Sequence, residues 1–255
     1  MLRSLARLHE TLVMASDGEV GTLQDVFFED EHWTVRYVVV KGSAVDRTDP
    51  ILVSPIGVSA VDEDGTIHLA MTCGQAHDAP GLELDRPVSV EMERAYYDYH
   101  GWPYYWQGNE LWGQWGSPAD LRGPAIGEAT GAHPVALGSE SDLMPGPEDD
   151  AAWIEDAAPA DKHLRSVQEL HGYHLEATDG HIGHVMDFVL DDHTWRIACV
   201  AIDTSDWWFG KKVAVPTSAF GRIEWETRTV FVELDKAAVK AAGEFDAERP
   251  ACPGE

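Results

Sequence analysis

Residues 179–202 read DGHIGHVMDFVLDDHTWRIACVAI, and residues 17–40 read DGEVGTLQDVFFEDEHWTVRYVVV. Superposed, they share Asp17-Gly18 with Asp179-Gly180, Gly21 with Gly183, Asp25 with Asp187, Asp30 with Asp192, Trp33 with Trp195 and Val38 with Val200. The register extends upstream, where Leu2-Arg3-Ser4 returns as Leu164-Arg165-Ser166 and Leu8-His9 as Leu170-His171. Downstream it drifts by small insertions: Pro55 aligns with Pro216, Ile67-His68-Leu69 with Val230-Phe231-Val232, and Arg86-Pro87 with Arg249-Pro250. An internal repeat decides the architecture before any single element does. The units are residues 1–87 and 164–250, and residues 88–163 have no counterpart.

Each unit reads as short strands. Asp17-Gly18 and Asp179-Gly180 sit between apolar runs, a hairpin signal in which both turn positions would take positive φ. Trp33 to Val40 and Trp195 to Ile202 are rich in β-branched residues and read as strands. Ile51-Leu52-Val53 and Val213-Ala214-Val215 run into Pro55 and Pro216, where a ladder donor is lost. A last hairpin turns at Asp64-Gly65 and again near Thr227-Arg228. So many short strands predict an all-β chain of two small antiparallel barrels, since closure removes exposed edges. A short helix follows each, capped by Thr72 in the first unit and by Asp235, over Lys236 to Ala242, in the second.

The formal net charge is -27, which repels phosphate backbones and argues against nucleic acid as a partner. Cys73, Cys199 and Cys252 are far apart and odd in number, which argues against a disulfide framework or zinc ribbon. No apolar run is long enough to span a membrane. The opening MLRSLARLHETLVM lacks the continuous apolar core of a secretory signal, so the expected location is cytoplasmic.

The two glycine–aspartate–strand blocks, Asp17 to Val40 and Asp179 to Val200, resemble the PRC-barrel domain. The stretch Tyr96 to Trp106 between them also resembles the linker of bacterial proteins with tandem PRC-barrels. That resemblance implies two small barrels acting as assembly or adaptor modules, with no catalytic residues to carry over. Other members occur in the cytoplasmic part of the photosynthetic reaction-centre H subunit and in a ribosome-maturation factor. The latter makes ribosome assembly an alternative role by analogy.

Residues 96–116, YYDYHGWPYYWQGNELWGQWG, hold nine Tyr and Trp residues. Left in water they would exceed the apolar patch a monomer tolerates. The candidate contact residues are therefore Tyr96, Tyr99, Trp102, Tyr104, Tyr105, Trp106, Trp112 and Trp115. Trp207 and Trp208, ahead of Lys211-Lys212, are added because indoles favour hot spots. Glycines and Pro103 limit any helix to about Glu91–Tyr99, with Tyr96, Tyr99 and Met92 on one side. Ser139 to Asp161 is acidic and reads as a loosely draped linker, with Trp153-Ile154 as an anchor.

The histidines offer an alternative. His171, His174, His181 and His184 flank one hairpin and could converge on zinc or nickel. Histidines three apart on a regular strand, however, point to opposite faces. Asp25 and Asp187 could form an acid–base pair only in a cleft shared by both units, and a structural role at a strand irregularity is favoured. There is no nucleophile elbow and no phosphate-cradling loop. The expectation is a non-enzymatic adaptor or structural module, without cofactor or metal, that meets a protein partner or a second copy of itself. The alternative is a metal-binding sensor or enzyme using the histidine hairpin.

Overall fold

The computed structural model describes residues 1–43, 50–80, 90–123, 164–204 and 211–253. The first repeat runs β1 (Leu2–Ser4), α1 (Leu5–Leu8), β2 (Leu12–Ala15), β3 (Gly18–Glu29), β4 (Thr34–Gly42), β5 (Ile51–Val53), β6 (Val58–Val61), β7 (Ile67–Leu69) and α2 (Cys73–Asp78). The connector contributes α3 (Val90–His100) and α4 (Pro118–Arg122). The second repeat gives β8 (Leu164–Ser166), α5 (Val167–Leu170), β9 (His174–Ala177), β10 (Gly180–Asp191), β11 (Arg196–Asp203), β12 (Lys212–Pro216), β13 (Phe220–Glu224), β14 (Thr229–Val232) and α6 (Lys236–Ala241). The two lists match element for element.

The expected pair of separate antiparallel barrels does not form. Among the described residues, all fourteen strands join one open, mixed sheet with the central order β13-β14-β9-β10-β11-β4-β3-β2-β7-β6. Two of its ladders, β2 with β7 and β9 with β14, are parallel. The physical reason lies in the long strands. The first half of β10 pairs with β9, but its second half pairs with β1 of the other repeat, Leu2 opposite Asp191 and Ser4 opposite Val189. In the same way β3 gives Phe27 to Glu29 to β8. Backbone groups that would complete each unit by itself are thus satisfied by the other unit.

The repeats also meet where β4 and β11 begin. Val35 N–H donates to Trp195 O and Ile197 N–H donates to Trp33 O, each at 2.8 Å, a reciprocal pair about a pseudo-twofold axis. Trp33 and Trp195 both take left-handed backbone, at φ 59° and 57°. The Trp33 ring stacks on Phe28 and meets Phe220 of the other repeat edge-on at 5.4 Å. One contiguous core therefore draws on both repeats and on the connector.

The recurring glycine has a steric cause. A Cβ on Gly21 would sit 1.9 Å from Lys41 O, and one on Gly183 would sit 1.9 Å from Asp203 O. Both lie beside bulges that leave one residue of the long strand unpaired. The turn aspartates differ from expectation, since Asp17 and Asp179 are not among the residues with positive φ. Their carboxylates instead accept Cys73 N–H at 2.6 Å and Lys236 N–H at 2.9 Å, capping α2 and α6. Thr72 and Asp235 cap those helices as read from the sequence.

Cys199 on β11 is bonded to Cys252, with Cα atoms 5.9 Å apart, a single bridge where the cysteine spacing had argued against a disulfide framework. The link holds residues 243–252 over β12, where Ala214 N–H donates to Gly243 O and Phe245 N–H to Lys212 O. Phe245, Val189, Ala201 and Ala214 form a small second core beneath it. Among the described residues no helix is long and apolar enough to cross a membrane.

Candidate functional site

Three places gather chemistry-bearing side chains: the aromatic connector, a cleft on the pseudo-twofold axis, and a histidine cluster on the second repeat.

The connector packs on the first repeat. Tyr96, Tyr97, Tyr105 and Trp112 are buried, Trp102, Tyr104 and Trp106 are half-buried, and Tyr99 and Trp115 are exposed. Helix α3 turns Tyr97 inward with Tyr96 and leaves Tyr99 in solvent, where the sequence reading had put Tyr99 beside Tyr96. The Tyr96 hydroxyl accepts Ser54 N–H at 3.0 Å and donates to Leu52 O at 3.2 Å. Glu93, also buried, accepts the hydroxyls of Tyr37 at 3.1 Å and Tyr105 at 3.0 Å. Burial first, and the Glu93 carboxylate second, push both hydroxyls well above their usual range, so they remain donors. The Arg36 guanidinium lies 4.0 Å over the Tyr105 ring and donates to Leu111 O. Trp112 crosses to the second repeat, donating its indole N–H to Thr194 O at 2.8 Å. Trp207 and Trp208, Trp153-Ile154 and the acidic stretch 139–161 lie outside the described residues.

The cleft, of about 420 Å³, is lined by equivalent pairs: Leu5 with Val167, His9 with His171, Asp25 with Asp187, and Val26 with Phe188. This is the shared cleft that an Asp25–Asp187 pair would require. The carboxylates are nevertheless committed elsewhere. Asp187 accepts Ser4 Oγ at 2.5 Å, Ala6 N–H at 2.9 Å and Phe188 N–H at 2.7 Å. Asp25 accepts Ser166 Oγ at 2.6 Å, Gln168 N–H at 3.2 Å and Val26 N–H at 2.7 Å. Ser4 and Ser166 are themselves the N-caps of α1 and α5. Each aspartate thus fastens the exchanged strand–helix corner of the other repeat. Burial raises the Asp25 carboxyl above its usual range, against the lowering pull of Ser166 and the two backbone donors. Salt bridges repeat the pattern: Arg3 Nε meets Asp192 at 2.5 Å and Arg165 Nε meets Asp30 at 2.8 Å.

The histidine cluster departs from the strand rule. His181 pairs across the ladder with Glu176, and Gly183 with Leu175, so Ile182 is an extra residue in a bulge. That insertion brings His181 and His184 to the same face, with His174 directly opposite His184. Ring centroids stand 4.8 Å apart for His174–His184 and 5.6 Å for the other two pairs. His171 does not join them, because it lines the cleft. The clue available in the sequence was Gly183, since a glycine inside a strand signals a bulge. No family model matches the chain, and no curated protein matches it.

Proposed function

We propose that the chain is a non-enzymatic structural module that assembles with a second copy of itself, using the outward-facing rings of its connector. The observation that carries this reading is the commitment of Asp25 and Asp187. The acid–base candidates of the shared cleft each hold two hydrogen bonds that tie the repeats together. That is the chemistry of a scaffold. The likeness of both repeats to the PRC-barrel family points the same way, toward assembly work, although the architecture is one joined sheet.

Among the described residues, Tyr99 at 44 % and Trp115 at 50 % exposure are the large rings the connector leaves to a partner. A cytoplasmic place belongs to this reading, with one feature against it: the Cys199–Cys252 bond suits an oxidising compartment better.

Light scattering after size exclusion tests the assembly on the wild type and on a Tyr99→Ala/Trp115→Ala variant. A wild-type mass above 28.1 kDa that rises with concentration and falls back in the variant is expected. A wild type that remains one chain at high concentration overturns self-assembly.

A further inference from the structure

We propose that His174, His181 and His184 form a binding site for one divalent transition-metal ion of the zinc class, with at least one coordination position left open. The donor atoms of the three imidazoles all lie within 4.8 Å of one another. In a tetrahedral shell with metal–nitrogen bonds of about 2.1 Å, nitrogens stand about 3.4 Å apart. Closing that gap takes small side-chain rotations, since two rings are half-buried and one is exposed. Imidazole nitrogen suits zinc, nickel and copper and does not suit magnesium or calcium. A net charge of -27 raises the local concentration of any cation.

Glu176 supplies the supporting contact. Its Oε1 lies 3.5 Å from His181 Nδ1, where a carboxylate fixes the ring orientation of a ligating histidine.

The fold does not require the cluster. The first repeat builds the same bulged hairpin with Leu12, Glu19 and Thr22 at the equivalent positions, pairing Leu12 with Thr22 and Met14 with Glu19. Three imidazoles converging in one repeat alone are therefore surplus to the architecture. Another donor group among the described residues, Glu29 with Glu31 and His32, is a poorer candidate. Glu29 already accepts the N–H groups of Glu31 and His32 and faces Arg36. The proposal is independent of self-assembly and stands or falls separately.

The test uses the full chain without an affinity tag. Zinc titration by calorimetry is expected to give one saturable equivalent per chain, and cobalt(II) a tetrahedral visible spectrum that zinc displaces. The variant His174→Leu/His184→Thr carries the residues of the first repeat at these positions, so it retains a hairpin the fold accepts. Its zinc affinity should fall more than roughly 100-fold, and that of Glu176→Gln by about 10–100-fold. His9→Ala/His171→Ala, in the cleft, should bind as the wild type does. No saturable zinc binding, or binding unchanged in His174→Leu/His184→Thr, overturns the site.

Discussion

The Asp187 carboxylate accepts the hydroxyl of Ser4 at 2.5 Å across 183 positions of sequence. The partner relationship, Ser166 to Asp25 at 2.6 Å, runs the opposite way between the repeats. The two bonds are equivalent in design and unequal in burial, as Asp187 is buried and Asp25 half-buried.

Asp187→Ala should therefore cost more than Asp25→Ala. Removing a buried acceptor of three donors strands them, at about 1–3 kcal/mol. Urea unfolding of Ser4→Ala, Asp187→Ala and the double variant should show a coupling of about 1 kcal/mol or more. Additive single effects would mean that the hydroxyl and the carboxylate do not act together.

Trp112 and Trp115 lie three residues apart with opposite fates. Trp112 is fully buried and bonded to Thr194, while Trp115 is half in water. Trp112→Ala should destabilise by about 3–5 kcal/mol. Trp115→Ala should leave the melting temperature of the isolated chain nearly unchanged. Equal losses would contradict the packing of the connector.

Gly183→Ala should be among the most damaging small substitutions. Its Cβ would strike Asp203 O, and the residue holds φ 124°. Gly172→Ala, which meets nothing within 4 Å but shares a positive φ of 82°, is the control for backbone strain alone. The difference in denaturation midpoint between them isolates the steric part, and Gly183→Ala is expected to be the worse.

His100 stacks on Trp102 at 4.2 Å, and burial pushes its pKa down to about 4 from the ordinary 6.5. The unfolded chain thus takes the proton first, so stability is full above pH 6.5 and declines as pH falls toward 4. Asp25 has the opposite sign, since its raised carboxyl detracts from stability as pH rises through its titration. Melting temperatures of His100→Phe should depend less on pH across the histidine window than those of the wild type. An identical pH profile would place that titration elsewhere.

Cys252→Ser should loosen the C-terminal tail from β12. A bridge spanning 53 residues contributes on the order of 2–4 kcal/mol. Thermal unfolding with and without reductant should differ for the wild type and coincide for the variant.

The repeat, the strand runs, the proline stops and both helix caps were legible because each rests on local chemistry at fixed spacing. The hairpin partners were legible for the same reason, but the exchanged partners of β1 and β8 were not. Leu2-Arg3-Ser4 and its copy were visible as a matching motif, but nothing local says that three residues pair with a strand almost 190 positions away. For the same reason the bulge at Ile182 hid the histidine cluster: one inserted residue reverses the face of everything beyond it. Tyr99 was misplaced because the buried side of α3 runs through Tyr96 and Tyr97, and Tyr99 stands two helical steps, about 200°, from Tyr97.

The crossing of the first strand has a consequence during synthesis. Leu2 to Ser4 leave the ribosome well before their ladder partners, Val189 to Asp191. The nascent first repeat must wait with β3 half-matched, and closure has to bridge a very long loop. Pairings so remote in sequence make for slow folding and leave strand edges open in the interval. Refolding should therefore be slow relative to chains of similar size with local topology.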